Sequence, residues 1–202
     1  MRRLDAIEPS ERARALAAPG AAAAGKDPRH VQAILDESAA IVRSGHGVLV
    51  CETHHGFVCA NAGIDQSNAA EAGELVLLPA DPDGSARALR AGIAAARSVA
   101  PAVVIADSFG RAWRLGQTDV AIGVAGLVAL DDWRGRADAR GRELAATVIA
   151  VADAVTAAAD LARTKDSGEP AVLVRGLERF VTRANGPGAA ALRRPVDEDL
   201  FR

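Results

Sequence analysis

With 202 residues the chain can bury a substantial core as one domain, and 50% hydrophobic against 25% charged residues is a globular composition, not a disordered one. Twenty-four basic against 26 acidic side chains give a formal charge of -2, which excludes an overall basic field for nucleic acid or an anionic membrane surface. Only 3% of residues are aromatic, so the core must rest on Ala, Val, Leu and Ile.

Cys51 and Cys59 are too far apart for a CxxC pair, and no cysteine framework surrounds them, which suits reduced thiols of a cytosolic protein. No stretch reaches about 18 uninterrupted apolar residues, and the opening MRRLDAIEPSER lacks the apolar region of a signal peptide. The expectation is a soluble cytoplasmic protein with no membrane partner.

In chain order, Ser10 predicts the cap of a short helix running to Leu16, and PGAAAAG then breaks the chain. Asp27-Pro28 marks a second start, with a helix predicted over 29–43 because Val31, Ile34, Leu35, Ala39 and Val42 recur at helical spacing. His30 reads as a first-turn surface residue. Val48, Leu49 and Val50 form a short buried run that predicts a strand, and His54-His55 follow it as loop residues.

The stretch GFVCANAGIDQSN then carries the chain from an apolar entry through small residues to a lone carboxylate, Asp65. Gly56 and Gly63 permit backbone angles that other residues resist. Two readings stand: an Asn/Gly/Asp turn capped by Ser67 ahead of a helix, or a loop tip presenting oxygens to a hard cation. Next, 75–78 reads as a strand ended by Pro79, and ADPDGSARALRAGIAAAR as a turn feeding a helix capped by Ser85 or Asp83.

The second informative stretch is AVVIADSFGRAWRLGQTDVAIGVAGLVAL. Residues 103–106 predict a buried strand, with Asp107 and Ser108 emerging at its end, Arg111 in the loop beyond, Trp113 placed to close over a pocket, and a further strand after 116–119. An aspartate at a strand end serves equally well as a turn cap or as a functional group. Two such aspartates, Asp65 and Asp107, together suit a divalent ion, which needs oxygen ligands drawn from distant parts of the chain; Mg2+ or Mn2+ fits them better than zinc. Arg111 reads either as a surface residue or as an anchor for an anionic substrate.

DDWRGRAD predicts a polar turn, followed by a long alanine-rich helix over about 140–162 with Leu144, Val148, Val151, Val155 and Leu161 on one face. Asp153 reads as buried and paired, Asp160 as a solvated position. A Lys165-Asp166-Ser167-Gly168 loop leads to a last strand over 171–174, and Asn185-Gly186-Pro187-Gly188 reads as a turn or linker in a tail over 183–202. The loop around Lys165 could touch phosphate, yet no GxxxxGK[ST] pattern supports a P-loop.

Taken together, GFVCANAGIDQSN, IADSFGRAWRLGQTDVAIGVAG, DWRGRADARGREL and VLVRG resemble the coenzyme F-420:glutamate ligase family, including the ligase half of its actinobacterial two-domain form. The resemblance implies an α/β (mixed α+β) fold particular to that family and an intertwined homodimer. It also implies a GTP-dependent enzyme that adds L-glutamate to the precursor of this deazaflavin coenzyme through an acyl phosphate. Two divalent ions, Mg2+ or Mn2+, are implied as cofactors, with K+ as a further candidate.

By the same resemblance Asp65, Asp107 and Ser108 are metal ligands, Asn68 and Lys165 nucleotide contacts, and Arg111, Gln117 and Asp119 supporting residues. Residues 1–202 would form a single ligase domain lacking the strand-rich segment with which family members usually begin. The rival expectations are a non-catalytic remnant that binds partner subunits through an exposed strand edge, and a metal-dependent phosphate-ester hydrolase using the same carboxylates.

Overall fold

A computed structural model describes every residue except Asn68, Ala70, Phe201 and Arg202. The chain divides into two compact units, one comprising Met1–Leu78 with the residues from Pro195 onward, the other Pro79–Arg194. Helices and antiparallel sheets mix in both, as the α/β expectation requires.

In the first unit, strand β1 (Arg2–Arg3) leads to helix α1 (Glu11–Ala17), where the Ser10 side chain accepts from the Ala13 amide as predicted. Helix α2 (Pro28–Asp36) starts on Asp27 and Pro28 but stops well short of 43. Its last turn closes where the Ser38 hydroxyl donates to the Ile34 carbonyl, and the chain turns into strand β2 (Ser38–Gly45). The Ile41-Val42 pair that imitates helical periodicity is thus β-branched strand, a case of pairing overriding pattern.

His46 and Gly47, both at positive φ, form a two-residue turn into β3 (Val48–Thr53), which pairs with β2 on one side and with β4 (Val58–Ala60) on the other. Strand β5 (Glu74–Leu75) pairs with β1, so the strand expected over 75–78 is brief. Leu4, Ile7, Val31, Ile34, Leu49, Cys51, Ile64 and Leu75 fill the core of this unit.

The second unit begins with helix α3 (Pro82–Arg97), capped by Asp81 and not by Asp83 or Ser85. Asp83 has another task, its Oδ1 accepting the amides of Val124 (2.7 Å) and Ala189 (2.8 Å). Helix α3 packs on a long antiparallel hairpin of β6 (Val103–Arg111) and β7 (Arg114–Ala125), turned at Ala112-Trp113. Trp113 is at the hairpin tip and 81% exposed, so the expected closure over a pocket is not what its position provides.

Strands β8 (Leu130–Asp132) and β9 (Val148–Ala150) pair as a short ribbon, and helix α4 (Val151–Asp160) packs on β7. The helix predicted over 140–162 is therefore less than half present. Residues 140–147 instead return along the ribbon, with Trp133 N donating to Thr147 O, Gly135 N to Leu144 O and Leu144 N to Arg136 O. Of the expected apolar face only Val151 is buried, and Leu161 is 88% exposed. Residues 171–174 form no ladder among the described residues. The expected linker at Asn185 to Gly188 is instead held in place, because Gly126 and Asn185 are joined through the backbone and Arg90 binds Asn185 Oδ1.

Candidate functional site

Asp65 follows three residues, Asn61, Ala62 and Gly63, that all adopt positive φ. Only glycine does so without cost, so this backbone is strained at Asn61 and Ala62 by about 1 kcal/mol or more each. At Gly63 a β-carbon would lie 2.8 Å from the Leu78 side chain, which adds a steric reason for glycine. The strained run ends in an isolated bridge between Asp65 and Val76, which exchange both backbone hydrogen bonds (3.0 and 2.8 Å). The Asp65 Oδ1 accepts from both the amide and the hydroxyl of Ser67, each at 2.7 Å. The turn reading of this stretch is therefore correct locally, although 71–73 turn back toward β5 and no helix follows directly among the described residues. Asn68, expected to contact nucleotide, lies outside the described residues.

Asp107 and Ser108 sit inside β6 and not at its end, because the β6–β7 ladder continues to Arg111. Successive strand side chains point to opposite faces. Asp107 therefore shares a face with its cross-strand partner Val120, and Ser108 with Asp119. Arg111 at the end of the strand donates to Leu115 O (2.6 Å) and Gly116 O (3.3 Å), so it holds the hairpin turn. Gln117 lies exposed in β7 opposite Gly110.

On the Ser108 face a connected polar group gathers. The Ser108 hydroxyl donates to Asp119 Oδ1 at 2.6 Å and accepts from Lys165 Nζ at 2.7 Å. The other oxygen, Asp119 Oδ2, accepts from Arg163 Nη2 at 2.8 Å. Asp119 is only 2% exposed, and its backbone carbonyl accepts from the Thr156 hydroxyl of α4 at 3.0 Å. Asp153, one turn earlier, takes the Ala121 amide at 2.9 Å, so it is paired as expected, with backbone as the partner. Asp160 stands 3.9 Å from both Arg163 and Lys165, a loose carboxylate between two cations, not a bare solvated one.

The sequence signals that could have found this group are limited. Asp119 and Lys165 were legible, one within a motif and one by rarity, but Arg163 lies 44 residues from its partner and carried no mark of its own. Among the described residues no three His, Cys, Asp or Glu side chains gather as a metal site. The donors near Ser108 nevertheless suit a hard cation in kind, being oxygens. One of them already faces a cation, the Lys165 ammonium, whose side chain is 71% exposed and so free to swing away.

A hydroxyl, a carboxylate and two cations thus meet on one face of the β6–β7 pair. The chain belongs to the F420-0:Gamma-glutamyl ligase family, whose model matches residues 1–176. It is 48% identical to a coenzyme F420:L-glutamate ligase of Methanothermobacter thermautotrophicus over 88% of this chain and 70% of the relative. A protein of the same name from Methanopyrus kandleri is 45% identical over 98% of this chain and 78% of its own length. One from Methanocaldococcus jannaschii is 43% identical, with 88% and 70% covered.

Proposed function

We propose that this chain joins the amino group of L-glutamate to the terminal carboxylate of the coenzyme F-420 precursor, with GTP as the phosphoryl donor, in the cytoplasm. The observation that carries the reading is the length of the likeness: relatives named for that ligation match 88% or more of the chain at 43–48% identity.

Joining a carboxylate to an amine runs uphill in water unless an oxygen of the carboxylate is first made a leaving group. In this reading the precursor carboxylate attacks the γ-phosphate of GTP, giving an acyl phosphate and GDP. The glutamate amine then attacks the acyl carbon, forming the amide and releasing phosphate. Asp65, Asp107 and Ser108 are proposed as oxygen ligands for Mg2+ or Mn2+. Because Asp107 and Ser108 face opposite sides of the hairpin, two ions suit them better than one. Such ions, when bound, neutralise charge on the transferring phosphoryl group, an effect worth several kcal/mol in general. Lys165 would hold a phosphate oxygen, and Asp160 would keep its ammonium near the site.

The test is incubation of the purified chain with precursor, GTP, L-glutamate and Mn2+, followed by mass spectrometry. Glutamyl addition that depends on GTP is expected, and its absence would defeat the reading. Asp107→Ala should abolish turnover while circular dichroism stays that of the parent. Retained glutamate addition would remove Asp107 from the chemistry.

A further inference from the structure

Three observations on the Ser108 face belong together. A serine hydroxyl carries one proton and two lone pairs. The proton is directed into Asp119 Oδ1 at 2.6 Å, so both lone pairs are left to face elsewhere. One of them meets a cation, the Lys165 ammonium at 2.7 Å. The carboxylate that sets this polarity is 2% exposed and is fixed from behind by Arg163 at 2.8 Å.

We propose that Asp119 is a positioning residue that takes the only Ser108 proton so that the hydroxyl oxygen faces a divalent cation, and that Lys165 is the exchangeable stand-in for that cation. The proposal rests on the reading of Ser108 as a metal ligand given above. It assigns Asp119 a definite task, and it makes Lys165 a competitor of the ion at the Ser108 oxygen, released toward phosphate when the ion binds.

The chemistry of the amide makes the proposal sharp. In Asp119→Asn the shape is kept, but Arg163 can only donate, so the amide oxygen must turn to Arg163 and the amide nitrogen to Ser108. The hydroxyl then spends one lone pair on Asn, and its proton, no longer held in the carboxylate, competes with the remaining lone pair for the direction of the cation. The fixed polarity is lost with little change in volume.

The experiment is Mn2+ binding to the full chain without nucleotide, read by the loss of the free-ion electron paramagnetic resonance signal, with thermal unfolding of each variant in parallel. Asp119→Asn is expected to weaken binding by roughly 10- to 100-fold, the usual cost of losing a partner that orients a ligand. Ser108→Ala should weaken it comparably, and the double variant no further, because both act through one oxygen. Additive losses, or Asp119→Asn binding like the parent, would overturn the proposal while leaving Ser108 as a ligand intact. A parent chain that binds no Mn2+ would overturn the metal reading itself, and this inference with it. Lys165→Met leaves the buried pair untouched and keeps the stand-in half of the proposal open to refutation if Asp119→Asn does not fold. It should tighten Mn2+ binding by roughly threefold or more, the equivalent of one competing hydrogen bond, and weaker binding would overturn the stand-in role.

Discussion

His30 enters the first turn of α2 with its Nε2 enclosed and without a hydrogen-bond partner among the described residues. The sequence suggested a surface position; the fold half-buries the ring instead. Burial, helped by the nearby charge of Lys26 and opposed by Asp27, holds its pKa below the ordinary 6.5. The unfolded chain takes up the proton first as pH falls, so this group's contribution to stability is complete above about pH 6.5 and is lost as pH drops through the lowered folded value. His30→Gln should flatten the fall in urea midpoint between about pH 7.5 and 5.5 relative to the parent, and an unchanged pH dependence would exclude the ring as its source. At the same scale, Cys51 and Cys59 stand directly opposite each other on β3 and β4, both buried, and burial pushes the Cys51 thiol up. Their eight-residue separation gave no hint of this, because a hairpin register is invisible in spacing alone. Asp65 and Asp107 were legible by type, since a carboxylate beside small residues is conspicuous. The link from Asp119 to Arg163 was not, because only folding makes those two neighbours.

Two of the predicted helices are cut short for one physical reason. Over 29–43 and 140–162 the composition favours helix, but propensity is worth only tenths of a kcal/mol per residue and strand pairing outweighs it. Where a side chain could tie off the ladder, as at Ser10 and Asp27, the starting signals held. Arg90 shows what an element needs beyond its own pattern. It sits in α3, 5% exposed, and its guanidinium donates to the carbonyls of Pro101 (2.9 Å), Thr182 and Arg183 (3.2 Å) and to Asn185 Oδ1 (2.8 Å). A side chain at Gly126 would collide with that guanidinium, so the glycine is required there. The clamp binds residues 182–185 to α3, and breaking it takes the donor from several part-buried acceptors at once. Arg90→Met should therefore cost about 2–5 kcal/mol of unfolding free energy, measured by denaturant titration, and a loss below about 1 kcal/mol would show that the tail holds without it.

At the scale of the whole molecule, several apolar side chains are exposed. Leu115 is 96% exposed at the β6–β7 hairpin tip and Leu173 is 72% exposed in the run predicted as a strand, while among the described residues the strands of the β8–β9 ribbon form a sheet of two. Two-stranded ribbons are marginal in water, and an apolar run without a ladder partner invites one from another chain. We therefore expect a dimer of identical chains, as the family resemblance implies. Sedimentation velocity at micromolar concentration should show a species of twice the 20.7 kDa chain mass, and a monomer at every concentration would refute it. Among the described residues no helix is long and apolar enough to cross a membrane, so the exposed apolar surface is not a spanning helix.

Family and composition class were set by the sequence itself, because motif order and charge balance do not depend on where the chain folds. The helices that begin on Ser10 and Asp27 and the strands that include 48–50 and 103–106 were equally legible, since their causes lie within a few residues. Tertiary structure alone decided that 38–45 and 140–147 extend instead of coiling, that Asp107 and Ser108 face opposite sides of a hairpin, and that Arg163 closes on Asp119. Each of these depends on pairing between residues remote along the chain, and local preference is too weak to determine such pairing.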